Sequence, residues 1–240
     1  MKGLRSTIAL LIVLIGLGGY VYYLSSKPEA PATQQEKLFP GFDVDKVQEL
    51  TVKAANGDRT TIKKSGSDWE ITAPVTDRAS GTEVIGLAGS VGQLEVVRVI
   101  DENPADLKEF GLSDPRIVIS FTAEGGKNTG KIALGEKSPT GNGVYARRND
   151  EKRVILVPAF QETILNRGTF DLRDKTIVRV PRDKVETLEL TVDGTSTAFK
   201  KAGTEWSITA PLQARADFTA VENLVSKIEA AQMKVLVSDN

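Results

Sequence analysis

The sequence predicts an α+β chain in which an N-terminal transmembrane helix precedes duplicated antiparallel meander-plus-helix units and a second small antiparallel sheet. Three observations carry this. WEITAP at 69–74 returns 137 residues later as WSITAP at 206–211, with flanks that also agree. Short apolar/polar alternations are broken by turn residues, the pattern of half-buried strands. An uncharged run of 17 residues at 8–24 stands apart from both.

That run is about 26 Å long as a helix, close to the hydrocarbon thickness of a bilayer. Lys2 and Arg5 precede it, and Tyr20, Tyr22 and Tyr23 crowd its far end. The charges predict a cytoplasmic N-terminus and the tyrosines an aromatic belt on the outer side. Residues 1–26 are therefore expected to be a cytoplasmic start and an uncleaved signal-anchor. A cleaved signal peptide is the rival reading, but its apolar region is usually shorter, and Leu24-Ser25-Ser26 is a poor cleavage site. Either reading exports the domain, to the periplasm if the cell is Gram-negative. Residues 27–39 carry Pro28 and Pro31 and no apolar period, as expected of a linker.

The first unit is expected over residues 40–175. Residues 47–53 and 60–64 alternate across Asn56-Gly57, and 69–72 follows Gly66, which reads as a three-stranded meander. In the second copy Asp193-Gly194 replaces Asn56-Gly57; both pairs suit a type I′ turn, which needs positive φ at two central residues. Ser80-Gly81-Thr82-Glu83 is a capping box, and Val84, Leu87, Ala88, Val91 and Leu94 recur at helical spacing. A β-branched run at 95–100 and a short helix from Asn103-Pro104 to Gly111 come next. Residues 116–122, 131–134, 144–147 and 153–157 read as strands of the second sheet, and Phe160 and Ile164 mark another short helix. The second, incomplete unit is expected over 176–240: three strands, a helix carrying Val221, Leu224, Val225 and Ile228, and a last strand at 234–237.

Composition narrows the chemistry. There are 31 basic and 32 acidic residues, interspersed, for a net charge of −1, so the chain has no electrostatic footprint for nucleic acid. It contains no cysteine and no histidine, which removes thiol chemistry and the commonest general base and metal ligand. With 40% hydrophobic residues an ordinary core is expected. No enzymatic activity, cofactor or metal is expected.

Few residues stand out as sites. Trp69 and Trp206 occupy equivalent strand positions and read as packing rather than a ligand platform. GNGVYARR at 141–148 reads as a hairpin turn, because no P-loop lysine and no helix follow it. Its Tyr145, Arg147 and Arg148 remain candidates for a partner or ligand contact. Asp171, Arg173 and Asp174 form a charged knot between the units; a salt-bridge corner is the plain reading, and calcium or acid/base work the alternative. Asp101, Glu102 and Asp106 suit a helix N-terminus.

Taken in order, the membrane segment, LF…D at 38–43, the W-x-I-T-A-P block, NPADLKEFGLSDP at 103–115, LGEKSPTGNGVYAR at 134–147 and FDLRDK at 170–175 resemble the DUF4340 domain of bacteria. The resemblance runs from about Leu38 to the C-terminus. It implies a family of unknown function found beside ABC-2 type export systems and GldG-like auxiliary proteins of gliding-motility transporters. The expected function is then a single-pass, membrane-anchored accessory or scaffold protein of an ABC-type transport or cell-envelope system, with a permease or another envelope protein as partner. The alternative is an envelope lipid- or glycan-binding module. With two Trp, four Tyr and eight Phe, aromatic stacking surface for glycan is scarce.

Overall fold

The computed structural model describes residues 14–20 and 36–238. Residues 14–20 are helical and exposed, and the rest of the expected anchor lies outside the described residues. Among the described residues no helix is long and apolar enough to cross a membrane.

Strands β1 (Val47–Lys53), β2 (Arg59–Ser65) and β3 (Asp68–Ala73) form the expected meander, and a short β4 (Asp77–Arg78) extends it. Helix α1 (Gly81–Gly92) follows, with Ser80 Oγ accepting the Glu83 N–H; the reciprocal half of the expected capping box is not made, because Ser80 N–H donates to Leu172 O instead. Its stripe of Val84, Leu87, Ala88 and Val91 is buried against Leu50, Val52, Ile62 and Ile71 of the sheet. The chain then crosses to β5 (Arg98–Asp101) and returns through β6 (Ile117–Ala123), β7 (Asn128–Lys137), β8 (Gly143–Arg148) and β9 (Val154–Pro158).

The large sheet and the small sheet of the α+β reading are both present, but their membership differs from expectation. Residues 116–157 make no sheet of their own. β6 pairs with β1 from Glu49 opposite Thr122 to Lys53 opposite Val118, giving one nine-stranded antiparallel sheet ordered β4-β3-β2-β1-β6-β7-β8-β9-β5. The reason is apolar: β6 alternates buried and half-buried, and Ile117, Ile119 and Phe121 continue the face that α1 covers. β9 is buried along Val154, Ile155, Leu156 and Val157 because its other face meets a second cluster with Leu112, Ala133, Ile100, Phe110 and Tyr145. A strand covered on both faces loses the period of two.

The lead-in residues are part of the fold. Leu38 and Phe39 are buried, Leu38 N–H donates to Leu94 O at 2.8 Å, and Phe39 and Phe42 each meet Phe121 edge to face.

After helices α2 (Phe160–Leu165) and α3 (Thr169–Leu172) the second unit begins. β10 (Thr187–Val192), β11 (Thr195–Ala202), β12 (Glu205–Ala210) and β13 (Ala214–Arg215) form a separate four-stranded sheet carrying helix α4 (Phe218–Glu229), capped by Asp217. The copies correspond closely: both Ala-Pro bonds at Pro74 and Pro211 are cis, and Leu188 faces Phe199 as Leu50 faces Ile62. Two details depart from the expectation. Asp193 and Gly194 both have positive φ and close a two-residue turn, whereas the first copy spans residues 54–58 with only Gly57 positive. Residues 234–237 form no strand; Gln232 makes a single bridge to Thr176.

One short segment serves both units. Leu172 O accepts from Ser80 N–H and Asp174 N–H donates to Arg78 O, adding residues 172–174 to the β4 edge. Immediately afterwards Lys175 O accepts from Met233 N–H and Ile177 N–H donates to Ala231 O, in the second unit. Bonds of the same kind tie Glu36 to Val96 and Leu38 to Leu94 in the first.

Candidate functional site

The six residues singled out in the sequence fall at two separate places. Tyr145, Arg147 and Arg148 lie on β8; Asp171, Arg173 and Asp174 lie at the junction, where Arg173 bridges to Ala79 beside β4. β4 and β8 are six ladder steps apart, about 29 Å at roughly 4.8 Å per step, so the two groups form no common site.

On β8 each side chain has an architectural partner. The Tyr145 ring meets Phe110 edge to face at 5.1 Å. Arg147 reaches Asp150 at 3.5 Å. Arg148 donates from Nε to Glu151 at 2.8 Å and from Nη1 to the carbonyl of Leu38 at 3.0 Å. Arg153 donates from both Nη atoms to the two Glu36 carboxylate oxygens at 3.0 Å, and this fork holds the Glu36 carboxyl below its usual range. Arg148 and Arg153 thus fasten the lead-in segment to the sheet.

At the junction, Asp171 accepts the Gly168 N–H at 2.9 Å and starts α3. Arg173 is buried, with Nε 3.1 Å from Asp77. Asp174 accepts from Thr176 N–H and from Arg179. Burial works against its ionisation, but those hydrogen bonds and the Arg179 charge outweigh it and its pKa is lowered. Among the described residues no group of three or more acidic side chains is arranged to hold a metal ion.

Two features escaped the sequence reading, and both are in the second unit. The first is Glu222 on α4, buried, with Oε1 accepting from Trp206 Nε1 at 2.8 Å and Lys201 Nζ at 2.9 Å, and Oε2 from Arg182 Nε at 2.7 Å. Led by the Trp206 hydrogen bond, these donors pull its pKa to about 2. Glu222 follows Val221 directly in the apolar stripe, so a charge adjoining the helix's buried face was the available signal. Lys201 also stands over the Trp206 ring at 5.5 Å, as Lys64 stands over Trp69 at 5.7 Å.

The second feature is an apolar face left open. Between α4 and the start of β10 lies a groove of about 360 Å³ lined by Val178, Val180, Val185, Leu188, Val225 and Ile228. Leu190, Val192 and Ile228 are exposed, while their counterparts in the first unit, Val52 on β1 and Val91 on α1 among them, are fully buried.

No curated protein and no solved structure matches this chain. The family described as "Domain of unknown function (DUF4340)" matches residues 69–240. That match spans both Trp blocks, the junction and the β6 to β9 meander, more than half of the chain, and the protein therefore belongs to the DUF4340 family.

Proposed function

We propose that this protein is a single-pass, membrane-anchored accessory or scaffold component of an ABC-type transport or cell-envelope system, with its folded units outside the cytoplasm and protein contacts as its work. The observation that carries the reading is the uneven distribution of apolar surface. The first unit buries Val47, Leu50, Val52 and Val91, whereas the second exposes Leu190, Val192, Ile228 and Val235. The groove lined by Val178, Val180, Leu188 and Ile228 adds open apolar surface to the same unit, and apolar surface gathered on one part of a protein marks a place of association. The anchor rests on the uncharged run at residues 8–24 and its flanking charges and tyrosines. The transport system rests on the family resemblance.

The test is purification of the tagged full-length chain from its native membrane in mild detergent, beside a version lacking residues 1–26, with co-purifying proteins identified by mass spectrometry. Recovery of a permease and its ATPase with the anchored form supports the reading. Recovery of no protein with either form removes it.

A further inference from the structure

The two units are an internal experiment on one sheet edge. β1 has neighbours on both sides, β2 and β6; β10 has only β11 among the described residues. Leu188 lies opposite Phe199, and Lys201 N–H donates to Glu186 O at 2.8 Å. The alternation of an antiparallel ladder then turns the main-chain N–H and C=O of Glu189 and Thr191 away from β11, toward the open edge. In the first unit the matching edge residues Thr51 and Lys53 pair with Ser120 and Val118 of β6.

The side chains repeat the contrast. Phe121 lies opposite Leu50 and Ile119 opposite Val52, and all four are buried. At the matching positions Leu188 is half-buried and Leu190 is 37% exposed. The groove of Val178, Val180, Val225 and Ile228 adjoins that edge. β6 shows what fills such a place: seven residues, IVISFTA, apolar at alternate positions.

We propose that the free edge of β10 takes up an extended segment of a partner polypeptide, added antiparallel, whose alternate apolar residues cover Leu188 and Leu190 and fill the groove between β10 and α4. The inference rests on the reading that this protein works through protein contacts, and it names where and with what. Main-chain pairing supplies attachment, and the alternate side chains supply selectivity. Glu186 and Glu229 line the groove beside one basic residue, Lys184, and Glu189 sits on the strand itself. Glu189 lies on the face opposite Leu188 and Leu190, so the polar face of the incoming segment is expected to carry Lys or Arg across from it.

The test uses the full-length chain in detergent micelles and a fluorescein-labelled peptide with the sequence of residues 115–123, flanked by lysines for solubility. A control peptide carries Ser at the positions of Ile117, Ile119 and Phe121. Saturable anisotropy with the first peptide and at least about tenfold weaker binding of the control are expected. Glu189→Pro removes an outward N–H on an edge strand, where proline is tolerated, and Leu190→Lys charges an exposed side chain; each should weaken the peptide at least about tenfold. An unshifted thermal midpoint for Glu189→Pro shows that the fold is intact, and Leu190→Lys reads the same edge if it is not. Absence of binding up to the peptide's solubility limit, or equal binding to both variants, overturns the proposal. So does a concentration-dependent dimer without peptide that Glu189→Pro abolishes, because the edge would then belong to a second copy. Co-purification with Glu189→Pro separates the two readings: partners retained by this variant leave protein contact standing and remove the β10 edge from it.

Discussion

Glu222 accepts the indole N–H of Trp206 at 2.8 Å, while the equivalent helix position beside Trp69 is Ile85, which is 52% exposed. The two tryptophans share a strand position, yet only the second is locked by a buried acid that also gathers Lys201 and Arg182. The second unit has a small apolar cluster of its own, with Trp206, Ala216, Val221 and Val225 as its buried members. A charge-assisted clasp matters more in such a unit than it would in the large core.

Glu222→Ala leaves three donors without their acceptor. The second unit is expected to lose about 3 kcal/mol, read as faster amide exchange in β11, β12 and α4 with β6 to β9 unchanged. Glu222→Gln retains an acceptor for Trp206 and should lose less.

The same clasp is pH-dependent. The folded pKa of Glu222 lies near 2, below the ordinary 4.5. A depressed carboxyl contributes stability that is complete above the unfolded value and is lost as pH falls through the folded one. Between pH 4.5 and about 2 the second unit should progressively lose the clasp's contribution, less than the roughly 3 kcal/mol an unscreened shift of this size is worth, because Arg182 is half-exposed and solvent screens its charge. Protection factors in α4, which remove the intrinsic pH dependence of amide exchange, should fall across that window in the native chain and stay flatter in Glu222→Gln.

Equivalent leucines should differ sharply. Leu50 is fully buried beside Phe121 of β6 in the core that α1 covers, so Leu50→Ala is expected to destabilise the chain by about 2–5 kcal/mol. Leu190 is 37% exposed on the free edge, and Leu190→Ala should shift stability by less than about 1 kcal/mol. Denaturant titration of both variants, followed by a probe in each unit, checks the contrast.

A side chain at Gly130 has no room. A Cβ there would sit 2.5 Å from the Phe121 ring and 2.7 Å from that of Phe39. Gly130→Ala should displace the Phe39, Phe42 and Phe121 cluster and destabilise the fold by about 1–3 kcal/mol. The same variant should loosen the lead-in residues, visible as faster exchange at Leu38.

Arg153→Ala removes the fork to Glu36, whose carboxylate is 51% exposed. Global stability should change by less than about 1 kcal/mol. Exchange of the Leu38 amide, which reports the segment joining the expected anchor to the sheet, should rise severalfold.

Local signals read well from the sequence. The N-cap at Ser80 and the stripe from Val84 to Val91 place α1, and the repeat of WxITAP places β3 and β12 because strand, turn and helix cap are written in consecutive residues. The join between β1 and β6 did not read, since it pairs residues such as Thr51 and Ser120 across a long separation with no local mark. Candidate sites suffered from the same distance. Arg148 and Asp174 are conspicuous in the sequence but belong to local ion pairs, whereas Glu222 draws its donors from Arg182, Lys201 and Trp206, each on a different segment.

Residues 172–177 are hydrogen-bonded to the first unit at one end and to the second at the other. That arrangement makes the number of residues in this stretch a fixed quantity. The hairpin after β1 spans residues 54–58 where its counterpart uses only Asp193 and Gly194, so a change of length at that turn has been absorbed. Between Asp174 and Lys175 there is no slack to absorb one. A single inserted residue would force a choice between the pairing at Arg78 and the pairing at Met233, so deletions and insertions here should separate the two units' fates where those at the turns do not.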